Sequence, residues 1–105
     1  GKQNMYDHSV RVPLVFAGPG IPEGERSEAF TYLIDIYPTI FGLADIKVPE
    51  SVEGRSLVST FGQPEAALRE TLIYAYKDFQ RAARDRKMKL IEYAVEGTHT
   101  TQLSI

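Results

Sequence analysis

The apolar residues of this chain form separate runs whose spacing changes along the sequence. In residues 12–16, Val, Leu and Phe stand close together and are followed by Gly18-Pro19-Gly20, which predicts a buried strand and a sharp turn. From Leu33 to Ile46 the apolar residues recur at intervals of three and four, which predicts a helix. Its expected buried stripe is made of Leu33, Ile36, Tyr37, Ile40, Phe41, Leu43 and Ala44.

Two features limit that helix. Pro38 has no amide hydrogen and crowds the preceding turn, so we expect it in the first turn or at a bend. Residues 47–57 combine proline, glycine and scattered charge without periodicity, which is typical of a loop. A short helical turn is predicted over residues 64–69.

The last third of the chain has the two-residue alternation of strands. Strands are predicted over Thr71–Tyr76, Gln80–Arg84, Met88–Tyr93 and Thr100–Leu103, with a turn at residues 85–87. In the third of these, Lys89, Ile91 and Tyr93 share one face. We therefore expect a small antiparallel sheet.

Composition narrows the function classes. The chain has 105 residues, 43% of them hydrophobic, which suffices for one modest core, so residues 1–105 are expected to form a single unit. A net charge of −2 argues against nucleic acid as a partner, and no apolar run is long enough to predict a membrane span. The absence of cysteine excludes disulfides and thiolate chemistry within these residues.

The polar residues that could carry chemistry are concentrated at the start of the chain. The phrases Gly1-Lys2, Tyr6-Asp7, Arg11-Val12-Pro13-Leu14 and Gly18-Pro19-Gly20 resemble the last active-site segment of sulfatases in the alkaline phosphatase superfamily. Residues 35–46 and 54–57 resemble two later phrases of that family, and residues 71–105 resemble its carboxy-terminal sheet.

This resemblance implies an α/β parent enzyme, of which the chain is a carboxy-terminal fragment with α+β character when taken alone. Residues 1–46 would form the edge of the main catalytic fold, with one strand and one helix packed on the main sheet. Residues 47–70 would be a connecting loop with a short helix, and residues 71–105 the small antiparallel sheet.

The resemblance also implies roles for individual side chains. Lys2 is expected to bind the sulfate, because an ammonium group stabilises the charge that builds up as the ester bond breaks. Taken without the motif, Lys2 would be an ordinary solvated lysine. His8, the only histidine near that segment, could by its own chemistry donate to a sulfuryl oxygen or protonate the leaving alkoxide. Because the family's motif has no histidine here, it could instead support the residues that contact the sulfate, line the substrate pocket, or act only in a surface ion pair with Asp7. Tyr6 and Asp7 are expected to orient the loop, and Arg11 to form a salt bridge or to cap carbonyl groups behind the site.

A local cluster of basic residues later in the chain has two interpretations. It could contact an anionic polymer such as a sulfated glycan. The alternation of a strand instead predicts that these charges point to both faces and form no continuous patch. Its members are Arg81, Arg84, Arg86, Lys87 and Lys89.

The chain lacks the rest of a sulfatase active site. The family's nucleophile is a formylglycine made from a Cys/Ser-x-Pro-x-Arg phrase, and its divalent cation, usually calcium, is held by paired aspartates; neither pattern occurs here. We therefore predict no cofactor and no metal site in this chain, a sulfate ester as the parent's substrate, and no turnover by the isolated chain.

Two alternatives remain open at this point. The parent could hydrolyse phosphonate monoesters or phosphodiesters, since anionic tetrahedral substrates need the same lysine and metal chemistry. The chain could also be a non-catalytic interaction domain, and exposed apolar surface on a fragment would favour self-association. The sequence assigns no compartment.

Overall fold

In a computed structural model, residues 4–95 and 98–104 are described. They divide into two compact units. One comprises residues 15–69, and the other combines residues 4–14 with the described residues from Glu70 onward.

The second of these units is built on a four-stranded antiparallel sheet. Its strands follow one another in chain order, so each is joined to its neighbour by a short connection. They are β1 (Leu72–Tyr76), β2 (Gln80–Arg84), β3 (Lys89–Val95) and β4 (Thr98–Ser104). The predicted sheet is confirmed, with β3 and β4 extending beyond the predicted ends.

The turn between β2 and β3 is explained by one side chain. Asp85 accepts hydrogen bonds at its Oδ1 atom from the backbone amides of Lys87 and Met88, both at 2.8 Å. Such an Asx turn replaces backbone pairing where the chain reverses. It sets the register in which Arg84 lies opposite Lys89 and Ala82 opposite Ile91.

One face of this sheet carries the core of the unit. Ile91 is fully buried there and packs with Ala82 and with Met5, which arrives from the start of the chain. The partly buried side chains around them are those of Val10, Tyr74, Tyr76 and Tyr93. Met5 is followed by a single helical turn, α1 (Asp7–Val10), which the sequence analysis did not predict.

The unit of residues 15–69 contains the predicted helix. A 3₁₀ turn at Leu33–Asp35 runs directly into α2 (Ile36–Leu43). Pro38 stands in the first turn of α2, where amide hydrogens have no acceptor inside the helix, as expected. None of the described helices has the length and apolar character to span a bilayer.

A short helical turn is present, but earlier than predicted. It is a 3₁₀ turn at Val58–Thr60. Residues 64–69 contain no helix; Ala66 donates to the Gln63 carbonyl at 2.9 Å in an isolated turn. The hydroxyl of Thr60 accounts for the earlier position, because it donates to the Leu57 carbonyl at 2.7 Å and closes that turn.

The loop of residues 47–57 is attached to α2 by polar contacts. Thr39 in α2 donates to the Asp35 carbonyl at 2.6 Å and accepts from the Leu57 amide at 2.9 Å. The backbone of Gly54 passes so close to Ile34 that a Cβ atom would lie 2.7 Å from its carbonyl carbon. The loop therefore meets the 3₁₀ turn that precedes α2 backbone to backbone.

The expected buried stripe of the helix is wrong. The side chains of Leu33, Tyr37 and Ile40 are 65%, 50% and 54% exposed, whereas Asp35, Pro38 and Thr39 are buried. The polar contacts just described occupy part of the inner side of α2, where Ile36, Phe41 and Leu43 are half-buried. Tyr37 and Ile40 face solvent, so the helix buries polar and apolar side chains together.

The predicted strand at residues 12–16 is also not formed. Residues 11–17 have no regular structure, and Val12 and Val15 are 52% and 86% exposed. A strand requires a neighbour that pairs with its N–H and C=O groups, and none of the described residues provides one. Pro13 also has no backbone N–H group, so it cannot donate a hydrogen bond to a neighbouring strand.

Candidate functional site

The two candidate residues of the opening segment differ in what the structure says of them. Lys2 lies outside the described residues. His8 is exposed in α1, with its ring stacked 6.1 Å from that of Tyr6 and its Nε2 atom 3.4 Å from the Asn4 side-chain amide. The imidazole is thus accessible from solvent, and its Nε2 atom contacts Asn4 of the same segment.

Asn4 organises the backbone that leads into α1. Its Oδ1 atom accepts from the Tyr6 amide at 3.1 Å and from the Ser9 hydroxyl at 2.8 Å. The carbonyl of Tyr6 accepts in turn from the Ser9 amide at 2.9 Å. These bonds explain why a four-residue helix forms here without a stripe of apolar residues.

Asp7 joins this segment to the sheet by charge. Its Oδ1 atom lies 3.0 Å from Nη1 of Arg84 and 3.1 Å from Nζ of Lys89. Partial burial alone would raise the pKa of Asp7, but the hydrogen bond from Lys89 and the charge of Arg84 outweigh it and lower the pKa below 3.8. Asp7 is therefore a carboxylate at neutral pH, shared between two cations.

Tyr6 and Met5 fix the same segment at two further points. The Tyr6 hydroxyl donates to Oε1 of Gln102 on β4 at 2.9 Å, and Met5 is buried against Ala82 and Ile91. Burial raises the pKa of Tyr93 above 10.0, and a hydrogen bond with Tyr6 adds to the increase. The predicted orienting role of Tyr6 and Asp7 now has partners, which lie on β2, β3 and β4.

A shallow cavity of about 180 Å³ opens beside Asp7. Three of its lining side chains are cationic and one is anionic, so the local charge is positive. The cavity is lined by Tyr6, Asp7, Arg84, Lys87, Met88, Lys89, Ile91 and Ser104.

The basic cluster is divided as the strand alternation predicts. Arg84 and Lys89 lie on the core face and contact Asp7, whereas Arg81 is exposed and donates to the carbonyls of Lys77 and Gln80 at 2.6 and 2.7 Å. Arg84, Lys87 and Lys89 nevertheless line the same cavity beside Asp7, so the prediction of no continuous patch is not confirmed for these three.

Two further basic side chains lie outside the core of the unit. Arg11, expected in a salt bridge or capping contact behind the site, is exposed. His99 on β4 has its Nε2 atom 3.2 Å from Oε1 of Glu92 on β3.

The sequence analysis did not assign partners to Asp7, although one signal was present. The predicted hairpin places Arg84 and Lys89 at facing ends of two strands. Like charges directly opposite each other destabilise a sheet, so such a pair calls for a carboxylate nearby.

Calcium does not fit the described residues. Within residues 4–95 and 98–104, no three side chains of the types His, Cys, Asp and Glu converge. The carboxylates of Asp7 and Asp35 are engaged by arginine or lysine instead. No step of a reaction is therefore assigned to a metal held by this chain.

The sequence matches known proteins along most of its length. Residues 1–100 match the family model described as "N-sulphoglucosamine sulphohydrolase, C-terminal". The chain is 42% identical to human arylsulfatase K over 57 residues, and 38% identical to mouse arylsulfatase K over 65 residues. It is 28% identical to a sulfatase of Formosa agariphila over 97 residues.

These matches cover only a small part of each relative. The human match spans 54% of this chain and 11% of the relative, and the mouse match spans 62% and 12%. The Formosa match spans 92% of this chain and 19% of the relative. The chain thus corresponds to less than a fifth of the length of these proteins.

Proposed function

We propose that this chain, which belongs to the sulfatase family, supplies Lys2 to an enzyme that hydrolyses sulfate esters. The family membership follows from the match to the model described as "N-sulphoglucosamine sulphohydrolase, C-terminal". Lys2 would contact a nonbridging or leaving-group oxygen of the sulfate. An ammonium group is a compact charge with three donors, which suits an oxygen on which negative charge develops.

The remaining chemistry belongs outside this chain. A hydrated formylglycine and a calcium ion, both held elsewhere in the sulfatases that this chain resembles, would supply the nucleophile and the divalent cation. The isolated chain is accordingly proposed to be inactive.

His8 is proposed to act beside Lys2. Its imidazole is exposed, and the contact with Asn4 and the stacking on Tyr6 restrain its orientation. A restrained and accessible imidazole can donate an N–H to a sulfuryl oxygen or a proton to the leaving alkoxide.

The observation that carries the proposal is the attachment of the opening segment. A catalytic side chain requires a rigid support, because positional errors of about 1 Å can reduce rates 100-fold. Within five residues after Lys2, the chain is fixed by a buried methionine, a tyrosine hydrogen bond and a shared carboxylate. This support favours a functional role over that of a solvated terminal lysine.

The test is a substitution in the full-length sulfatase that carries this chain. Lys2→Ala should reduce kcat/KM for 4-nitrophenyl sulfate by about 100- to 1,000-fold, the usual effect of losing a transition-state donor. Lys47→Ala, in an exposed loop, is the matched control and should leave kcat/KM unchanged. Unchanged activity in Lys2→Ala would overturn the proposal.

The substrate class is tested on the same preparations. Bis(4-nitrophenyl) phosphate and a 4-nitrophenyl phosphonate monoester should be hydrolysed less efficiently than the aryl sulfate. A higher kcat/KM for either phosphorus ester would favour the phosphodiester or phosphonate alternative. Turnover by the isolated 105-residue chain would contradict the proposed division of the active site.

A further inference from the structure

We infer that Arg84 and Lys89 are positioning residues of this sulfatase, which hold Asp7 and through it fix α1, the helical turn that carries His8. The inference rests on the proposed function, because it assigns a purpose to the sheet only if that segment belongs to the active site.

The first argument is the placement of two like charges. Arg84 ends β2, Lys89 begins β3, and the two are direct cross-strand partners on the core face. Facing cations weaken a hairpin, and a sheet needing only stability would have a neutral or opposite-charge pair there. Because this pair departs from the usual pairing of residues across strands, we expect it to have a function that offsets its cost in stability.

The compensating group is Asp7, which is remote in sequence. One oxygen, Oδ1, contacts both cations, at 3.0 Å to Arg84 and 3.1 Å to Lys89. The Lys89 side chain is only 9% exposed, and its ammonium also lies 5.5 Å from the centre of the Tyr74 ring. The ends of β2 and β3 thus hold two cationic donors side by side, and the Asp7 carboxylate is bound between them.

The geometry of the segment transmits that position. Asp7 begins α1, so fixing its carboxylate fixes the helical turn that carries His8. Contacts at Asp7, Tyr6 and Met5 together hold the beginning of α1 against β2, β3 and β4.

The deciding experiment compares two ways of removing the contact in the full-length enzyme. Asp7→Asn removes the charge and leaves Arg84 and Lys89 facing each other without compensation. The double variant Arg84→Gln/Lys89→Met removes both positive charges and the repulsion between them, and Asp7, 49% exposed, can then be solvated. Both variants should lower kcat/KM for 4-nitrophenyl sulfate by about 10- to 100-fold.

Readouts other than overall activity separate positioning from folding. Inorganic sulfate, used as a competitive inhibitor, should bind more weakly to both variants. The conservative change Asp7→Glu should restore most of the activity lost in Asp7→Asn. Glu92→Gln removes the exposed pair with His99 on the same sheet and should change neither rate nor sulfate inhibition.

A double-mutant cycle completes the test. If Asp7 acts by positioning His8, adding Asp7→Asn to His8→Ala should cause almost no further loss of the residual activity. Full additivity of the two losses would overturn the inference. So would normal rates in both Asp7→Asn and the double variant while Lys2→Ala is impaired, an outcome that leaves the proposed function intact. If Asp7→Asn does not fold, the double variant decides.

Discussion

The carboxylate of Asp35 and the guanidinium of Arg69 form a two-point ion pair inside the unit of residues 15–69. Oδ2 lies 2.5 Å from Nη1 and Oδ1 lies 3.0 Å from Nη2, and the Asp35 side chain is completely buried. The backbone amides of Tyr32 and Arg55 also donate to this carboxylate, each at 2.8 Å. Four donors from three parts of the chain therefore compensate one buried charge.

Removing this carboxylate should strongly destabilise the protein. Asp35→Ala leaves the Arg69 guanidinium, 10% exposed, without its counter-ion and two amides without their acceptor. The expected loss is about 3–5 kcal/mol of unfolding free energy, typical of breaking one side of a buried pair. Urea unfolding of the full-length protein measures it, and Glu28→Ala, on an exposed residue, is the control. A loss below about 1 kcal/mol would contradict the role given to the pair.

The pH dependence of stability follows from the same group. Burial alone would raise the pKa of Asp35, but the hydrogen bonds from Arg69, Arg55 and Tyr32 outweigh it and lower the pKa below 3.8. The folded state then binds fewer protons than the unfolded state, so this stabilisation is present above pH 3.8 and is lost as pH falls through the folded pKa.

The difference between wild type and Asp35→Asn isolates that effect. Their difference in unfolding free energy should be constant above about pH 5 and should shrink as pH falls towards about 2. The lowered pKa values of Asp7 and Asp85 are present in both proteins and cancel. A difference that stays constant over the acidic range would refute the assignment to Asp35.

The parts of this fold that the sequence predicts are the parts whose determinants are close together in the chain. The β2–β3 hairpin follows from alternation and from the Asx turn at Asp85, all within about fifteen residues, and its predicted strands are confirmed. The partners of Asp35 could not be predicted in this way, because Arg55 and Arg69 lie 20 and 34 residues away. The buried side of α2 was predicted wrongly for the same reason. Asp35 and Thr39 are buried because they bind Arg55 and Leu57, which lie far from them in the sequence.

The residues of the candidate site also divide into those that are close together in the sequence and those that only the fold brings together. The motif predicts Lys2, Tyr6 and Asp7 because those residues stand in one contiguous phrase, and His8 is a candidate because it is the histidine beside them. The supporting residues Arg84 and Lys89 lie 77 and 82 positions from Asp7, and only the folded sheet brings them to it.

The glycine at position 54 should not tolerate a side chain. A Cβ atom there would enter the carbonyl of Ile34 and lie 3.2 Å from Cα of Asp35, and backbone atoms cannot move aside as a side chain can. Gly54→Ala should cost about 3 kcal/mol or more. Gly42→Ala is the control, since its nearest atoms belong to the side chains of Val58 and Ser56 and alanine favours a helix. Equal unfolding midpoints for the two variants would show that the close approach is not required.

The hydroxyl of Thr39 should matter more than its size. Thr39→Val keeps the shape but leaves the buried Leu57 amide without an acceptor, and should cost about 1–3 kcal/mol. Thr39→Ser keeps the hydroxyl and should cost less. Hydrogen exchange of the Leu57 amide should be faster in the valine variant alone; equal exchange rates in both variants would exclude this bond as the cause.

The exposed apolar side chains of the 3₁₀ turn at Leu33–Asp35 and of α2, here called the α2 stripe, should make the isolated chain self-associate. The side chains of Leu33, Ile34, Tyr37 and Ile40 are each at least half exposed on one short stretch, a contiguous surface that monomeric proteins rarely present. Sedimentation velocity of the 105-residue chain should therefore show a mass that rises with concentration. Ile40→Glu should reduce the association, because a charge placed in an apolar contact must be desolvated. Ile73→Glu, on an isoleucine of the sheet that is 67% exposed against 54% for Ile40, is the control and should leave the association unchanged. A chain that remains monomeric from micromolar to millimolar concentration, or equal effects of the two substitutions, would exclude the α2 stripe as the associating surface.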